Sequence, residues 1–245
     1  MNRRYLFKIY RKIKCISSYF SFSLRYRGRI IYTDKIGRFY SQNGQDVIIS
    51  SFLFPVLTNN PSSTIVDIGC GDPDIYSMSL FFEQYFNSDI LSVDAVDYSQ
   101  EFKKRKKVNF VNALIGNGKD FFCNYETGMH DRYFSVSGAH LKDNENAVLM
   151  DSVTLTDLLL ENKISNIDLL SIVIPGNEIS ILNSIDFLKF NVKSIYIQNN
   201  DKACYGSNKI RKYMEKEGFY LLARLHPLGD FFIHQSLVHD KVCLH

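Results

Sequence analysis

Ile65-Val66-Asp67-Ile68-Gly69-Cys70-Gly71 is a short apolar run that ends in two glycines, and Ile90-Leu91-Ser92-Val93-Asp94 is a second such run that ends in an acid. Read together they predict two adjacent parallel strands whose carboxyl ends face one crevice. Glycine lets a backbone approach a ligand with no Cβ in the way, and an acid in that place accepts hydrogen bonds from ribose hydroxyls. Asp72 and Pro73 follow the second glycine, so the third glycine of a dinucleotide fingerprint is missing and a nicotinamide cofactor is disfavoured. The alternative is an ordinary strand-to-turn junction in an α/β protein.

Beyond residue 60, β-rich apolar runs at 64–68, 90–94, 108–115, 167–174 and 193–198 alternate with segments of helical periodicity at Ser77–Phe86, Gln100–Lys106, Thr154–Leu160 and Glu178–Phe187. Alternation of this kind predicts a parallel sheet covered on both faces. Phe219–Leu225 and Asp230–Gln235, joined by His226-Pro227-Leu228-Gly229, predict a terminal antiparallel hairpin, with His226 and Asp230 serving the turn. The expected fold is therefore α/β, a Rossmann-like sheet of seven strands, mostly parallel, with helices on both faces. Residues 116–152 are polar and show few periodic apolar positions, which predicts an irregular insertion over the site.

A chain of 245 residues with 45% hydrophobic content can bury one large core. Its five cysteines, at 15, 70, 123, 204 and 243, form no CxxC pair, so neither a disulfide framework nor a zinc site is indicated and a reducing, cytoplasmic compartment fits. The net charge of +3 conceals an asymmetry: residues 1–33 carry nine Lys or Arg and no acid, while the remainder is acidic. In this arm Leu6, Ile9, Tyr10, Ile13, Ile16 and Phe20 recur at helical spacing among Arg3, Arg4, Lys8, Arg11, Lys12 and Lys14. Such a segment, residues 1–29, suits either an anionic membrane interface on the inner face or a helix packed on residues 34–245. Serines at 17, 18, 21 and 23 argue against a span or a secretory signal. Nucleic acid is not an expected partner, because the positive charge is confined to the arm.

Asp67-Ile68-Gly69-Cys70-Gly71 resembles the first motif of class I S-adenosylmethionine-dependent methyltransferases. A second resemblance is more extensive. Tyr40-Ser41-Gln42-Asn43-Gly44-Gln45-Asp46 is similar to the Ser-Gln-x-Gly segment that precedes the catalytic fold in many FkbM-family methyltransferases. Val153–Leu159, Ile167–Ile172, Gly176-Asn177-Glu178 and Ile181-Leu182 follow that family's central pattern in order, so the resemblance covers roughly residues 40–235. It implies S-adenosylmethionine as cofactor, bound by Asp67, Gly69, Cys70, Gly71, Asp94 and Asn112, and O-methylation of a sugar or polysaccharide hydroxyl in glycan biosynthesis.

The chain also departs from the family. Where the family reads Ser-Ile-Asp-x-Glu-Gly, this chain has Ser171-Ile172-Val173-Ile174-Pro175-Gly176, and Gln198 stands where a Glu is common. Asp72-Pro73 and Ser77-Met78 replace Asp-Gly and Ser-Asn. The lost carboxylates argue against a metal and leave two functions open, an active methyltransferase or a degenerate relative that acts as a binding or assembly partner. A sugar hydroxyl is a weak nucleophile, and a base within hydrogen-bond reach contributes about 10²–10⁴ in rate. The candidates are Glu178, retained in the Gly-Asn-Glu match, and His130, with His140 and Asp131 as further insertion residues. Each has a plain alternative: Glu178 as an acid favoured by a helix dipole, the histidines as solvated loop residues.

Overall fold

The structure, a computed structural model, describes residues 24–26, 29–31, 39–42, 44–59, 62–117, 121–127, 132–136, 147–174, 176–198, 205–225 and 229–239. Seven strands form the central sheet: β1 (Thr64–Ile68), β2 (Asp89–Asp94), β3 (Val108–Asn112), β4 (Leu169–Ile172), β5 (Ser194–Ile197), β6 (Phe219–Leu225) and β7 (Gly229–His234). Their spatial order is β6-β7-β5-β4-β1-β2-β3. The first five are parallel; β7 runs antiparallel between β5 and β6. This is the seven-stranded, mostly parallel architecture expected from the sequence. The order reverses direction between β1 and β4, and at such a switch point the loops leaving the two strands part and open a crevice at their carboxyl ends.

Strand periodicity explains why both faces of the sheet are covered. Alternate residues of each central strand point to opposite faces. Val66, Ile68, Leu91, Leu170, Ile172 and Ile195 pack with the helices Leu155–Glu161, Glu178–Leu182 and Tyr205–Lys216. Ile65, Ile90, Leu169, Tyr196 and Phe231 face the helices Gln45–Asn59 and Met78–Phe86. The Gln45–Asn59 helix has no counterpart among the expected elements. It is apolar nearly all round and carries Pro55, so it lacks the single stripe by which an amphipathic helix is recognised.

Several expected boundaries differ, each for a local reason. The helix over Gln100–Lys106 shrinks to Ser99–Phe102, because the N–H groups of Lys106 and Lys107 donate to the Glu83 carboxylate instead of to a helical carbonyl. The helix starting at Glu178 ends at Leu182, where the Ser184 hydroxyl donates to the Ile181 carbonyl and accepts from the Leu155 N–H. The run 108–115 divides after Asn112, since Leu114–Ile115 leaves the sheet to pair with Ser152–Val153. Residues 167–174 divide likewise, Asn166–Ile167 pairing with Asn191–Val192. Asp230 is not a turn residue. It is buried within β7 and accepts from Nε and Nη2 of Arg211 at 3.1 Å each.

The described parts of the insertion are not irregular. Phe121–Thr127 pairs antiparallel with both Arg132–Val136 and Ala147–Met150, so the segment contributes a three-stranded sheet. In the arm, Leu24–Tyr26 pairs with Arg29–Ile31, so its last residues are extended rather than helical, and residues 1–23 lie outside the described residues. Among the described residues no helix is long and apolar enough to cross a membrane.

Candidate functional site

The loop leaving β1 is held against the end of β2 by backbone bonds. Gly69 and Cys70 donate to the Val93 carbonyl at 2.8 and 3.3 Å, and Gly71 donates to Oδ2 of Asp94 at 2.9 Å. Oδ1 of Asp94 accepts from the Val96 N–H at 2.9 Å. The glycines have φ of 75° at Gly69 and 62° at Gly71, values that L side chains rarely adopt. Asn112, opposite Asp94 on β3, donates its amide to the carbonyls of Asp94 and Ala95 at 3.0 and 2.9 Å. Asp67, Gly69, Cys70, Gly71, Asp94 and Asn112 are thus brought together at one end of three neighbouring strands.

Gly69 is also required from the other side. A Cβ there would stand 2.5 Å from the Val173 carbonyl oxygen and 2.7 Å from Cγ1 of Ile174. The chain leaving β4 crosses directly over the glycine. Val173 and Ile174, which replace a family acid and its neighbour, therefore form a wall of the loop; Pro175 lies outside the described residues.

Asp67 sits one layer below. By strand register Tyr196, Ser171, Asp67 and Ser92 form a row across β5, β4, β1 and β2 on one face of the sheet. All four are buried. Ser171 and Ser79 hydroxyls face the Asp67 carboxylate, yet strict bonding geometry leaves Asp67 Oδ2, Ser171 Oγ and Ser92 Oγ without a hydrogen-bond partner. Burial raises the Asp67 carboxyl above its ordinary value, against the lowering effect of those hydroxyls and of Arg105. The Cys70 thiol is pushed well up by burial and by Asp94 and Asp67, so it stays protonated and is no nucleophile.

Glu178 opens its short helix, and its Oε1 accepts from the Gly176 N–H at 3.0 Å. It lies just past the carboxyl end of β4, on the same edge of the sheet as the glycine loop. Nδ2 of the preceding Asn177 is buried without a partner. Gln198 follows β5 and is half-buried. His130, Asp131, His140, Asn199 and Asn200 lie outside the described residues. Among the described residues no three His, Cys, Asp or Glu side chains are grouped to hold a metal ion.

The Tyr40–Asp46 segment has a structural explanation. Asp46 is fully buried and accepts from the N–H groups of Tyr40, Ser41 and Val47 and from the Ser41 hydroxyl, at 2.6 to 2.9 Å. Burial raises its carboxyl despite these bonds. Gln45 reaches the hydroxyl of Tyr196, which burial pushes up to about 12. The segment docks the helix Gln45–Asn59 onto β5 at the end of the polar row.

Sequence reasoning missed Ser92, Ser79 and Arg105. Ser92 had a visible signal, a lone hydroxyl in an apolar strand at the register of Asp67. Arg105 stands in a run of cations, which gives no local sign of burial. Its side chain is instead 4% exposed and ion-paired to Glu83.

The sequence profile described as methyltransferase FkbM domain matches residues 67–221. No curated protein matches the chain. Among solved structures, Mycoplasma capricolum TrmK in complex with S-adenosyl-homocysteine is 15% identical with a TM-score of 0.39; the match covers 74% of this chain and 65% of that one. A putative ribosomal RNA methyltransferase from Plasmodium falciparum is 14% identical with a TM-score of 0.43, covering 80% and 97%. The human methyltransferase 10 domain containing protein is 10% identical with a TM-score of 0.44, covering 80% and 83%.

Proposed function

The chain belongs to the FkbM methyltransferase family, whose cofactor is S-adenosylmethionine, and from that premise we propose that it methylates a hydroxyl of a sugar or polysaccharide. The observation that carries the cofactor part is the Gly71 N–H to Asp94 carboxylate bond at 2.9 Å, which puts the glycine loop and the acid of β2 side by side. A carboxylate offers about four acceptor positions, and at the end of β2 that of Asp94 stands where ribose hydroxyls would meet it. Asp67, buried at the switch point with an unpartnered oxygen, suits the ammonium of the methionine part. Asn112 supports Asp94 from β3 by its bonds to the Asp94 and Ala95 carbonyls.

When bound, the cofactor supplies a sulfonium methyl, an electrophile that needs an aligned nucleophile about 3 Å away. The chain's part is to orient that nucleophile and accept its proton. Glu178 is the assigned base, one oxygen steadied by Gly176 and the helix start favouring its charge. In this reading the insertion between residues 116 and 152 grips the acceptor, and its His130 is the second candidate base. The basic residues 1–29 support placement at an anionic membrane surface, where glycan acceptors on lipid carriers would be met.

Calorimetric titration with S-adenosylmethionine, followed by transfer assays across a glycan panel read by mass spectrometry, tests this. Micromolar binding and a methylated sugar are expected. Failure to bind the cofactor overturns the reading of the loop; binding with transfer to some other acceptor class overturns the sugar assignment alone. Glu178→Gln should keep cofactor affinity and lose transfer.

A further inference from the structure

Arg105 lies in the turn between the helix Ser99–Phe102 and β3, outside every motif that ties the chain to its family. Its side chain runs inward beneath the start of the helix Met78–Phe86. There Nε pairs with Glu83, and Nη1 donates to the hydroxyls of Ser77 and Ser79 at 3.0 and 3.4 Å. The guanidinium also stacks 5.6 Å from the Phe102 ring centroid, and Nη2 is buried without a partner. Ser79 in turn faces the Asp67 carboxylate, so one serine is shared between the cation and the buried acid.

From this geometry, and resting on the cofactor reading above, we infer that Arg105 is a positioning residue that keeps Asp67 ionised and aimed at the cationic end of S-adenosylmethionine. A carboxylate buried among apolar strands favours its neutral form, and a neutral acid attracts an ammonium poorly. Among the described residues the charged and titratable groups facing Asp67 are few. Arg105 is the cation; Glu83 on the neighbouring helix is taken up by Arg105 and by the Lys106 and Lys107 N–H groups; Cys70 and Asp94 on the loop and β2 side add negative charge or none. Ser171 and Ser92 contribute hydroxyls, and Ser79 both its hydroxyl and its backbone N–H. Arg105 gives Nε to Glu83 and Nη1 to the serines beside Asp67, so Glu83 offsets its charge only in part, and the cofactor's cation complements the charge of Asp67.

The test has two readouts. In the ligand-free protein, ¹³C NMR follows the Asp67 carboxyl, identified by its absence in Asp67→Asn. Arg105→Met should move its titration midpoint upward, and Arg105→Lys should restore it. In parallel, calorimetry of S-adenosylmethionine binding from acid to neutral pH should show affinity for Arg105→Met falling about tenfold per pH unit below the new midpoint, a slope the native protein lacks over the same range. Because Arg105→Met alone strands a buried Glu83, the Arg105→Met/Glu83→Gln pair is measured too and should show a smaller shift in the same direction. An unchanged Asp67 midpoint, or an affinity loss equal at every pH, overturns the inference. A shifted midpoint in a protein that binds no cofactor would uphold the Arg105–Asp67 coupling while overturning the cofactor reading on which the role is based.

Discussion

Gly71 and Asp94, which belong to different strand ends, are joined by a hydrogen bond of 2.9 Å from the glycine N–H to Oδ2 of the acid. On the proposed reading one carboxylate then serves both the backbone and the ligand. With Oδ1 bound to the Val96 N–H, Asp94 is fixed before any cofactor arrives, so its carboxylate is pre-oriented. Pre-orientation lowers the ordering cost of binding.

Asp94→Ala should therefore weaken S-adenosylmethionine binding by about 1–3 kcal/mol, roughly 5- to 150-fold, since both the ribose contacts and the loop anchor are lost. Asp94→Asn keeps one carbonyl oxygen and should lose less. Calorimetry on the two variants decides the matter, and equal affinity for native protein and Asp94→Ala would remove this residue from the site.

Gly69 and Gly176 share a left-handed backbone, φ 75° and 90°, but differ in their surroundings. A Cβ at Gly69 collides with Val173, whereas one at Gly176 meets nothing within 4 Å. Gly176→Ala should cost only the conformational penalty, about 1–2 kcal/mol. Gly69→Ala adds overpacking and should cost about 2–5 kcal/mol in urea unfolding. Equal losses would mean that the crossing of Val173 over the loop is not tight.

The reach of the sequence follows from which physical signals are local. β1, β2 and the terminal pair β6 and β7 were legible because each is an apolar run bounded by glycine, acid or proline. That Asp94 and the two loop glycines meet at neighbouring strand ends was legible because a strand end has a recognisable neighbour. The row Tyr196, Ser171, Asp67 and Ser92 was not, since it exists only through the register of four strands drawn from distant parts of the chain. Arg105 was illegible for the same reason: nothing within its own segment reveals that Glu83 and Ser77 lie within its reach. The three-stranded insertion escaped because its short strands alternate over too few residues, and polar positions interrupt them.

Asp46 supplies a test of the docking segment. Its carboxylate accepts from the N–H groups of Tyr40, Ser41 and Val47. Asp46→Ala should lower stability by about 3 kcal/mol or more, because several buried donors are orphaned together. Thermal unfolding would reveal it. A variant as stable as the native protein would assign the segment a role other than fastening the Gln45–Asn59 helix to β5.

The charge of Asp67 opposes folding in the ligand-free protein, and the direction can be worked out. Burial raises its folded-state value above the ordinary 3.8 of the unfolded chain. Below that ordinary value both states hold the proton and the residue adds no pH dependence. As the pH climbs from there through the folded value, the unfolded chain releases its proton first, so stability declines across the window and stays lower above it. Asp46, raised for the same cause, behaves alike, so the informative quantity is the difference between native protein and Asp67→Asn. The variant should lack one such decline and be more stable at neutral pH by about 1–3 kcal/mol, its amide finding acceptors in the Ser171 and Ser92 hydroxyls. It should also bind S-adenosylmethionine more weakly, since the charge that strains the empty fold is the one that holds the ligand's cation, the usual exchange of stability for function at a binding site. Denaturation of both proteins over a pH series is the measurement. A destabilised Asp67→Asn at neutral pH would show that the ionised carboxylate is fully compensated without a ligand.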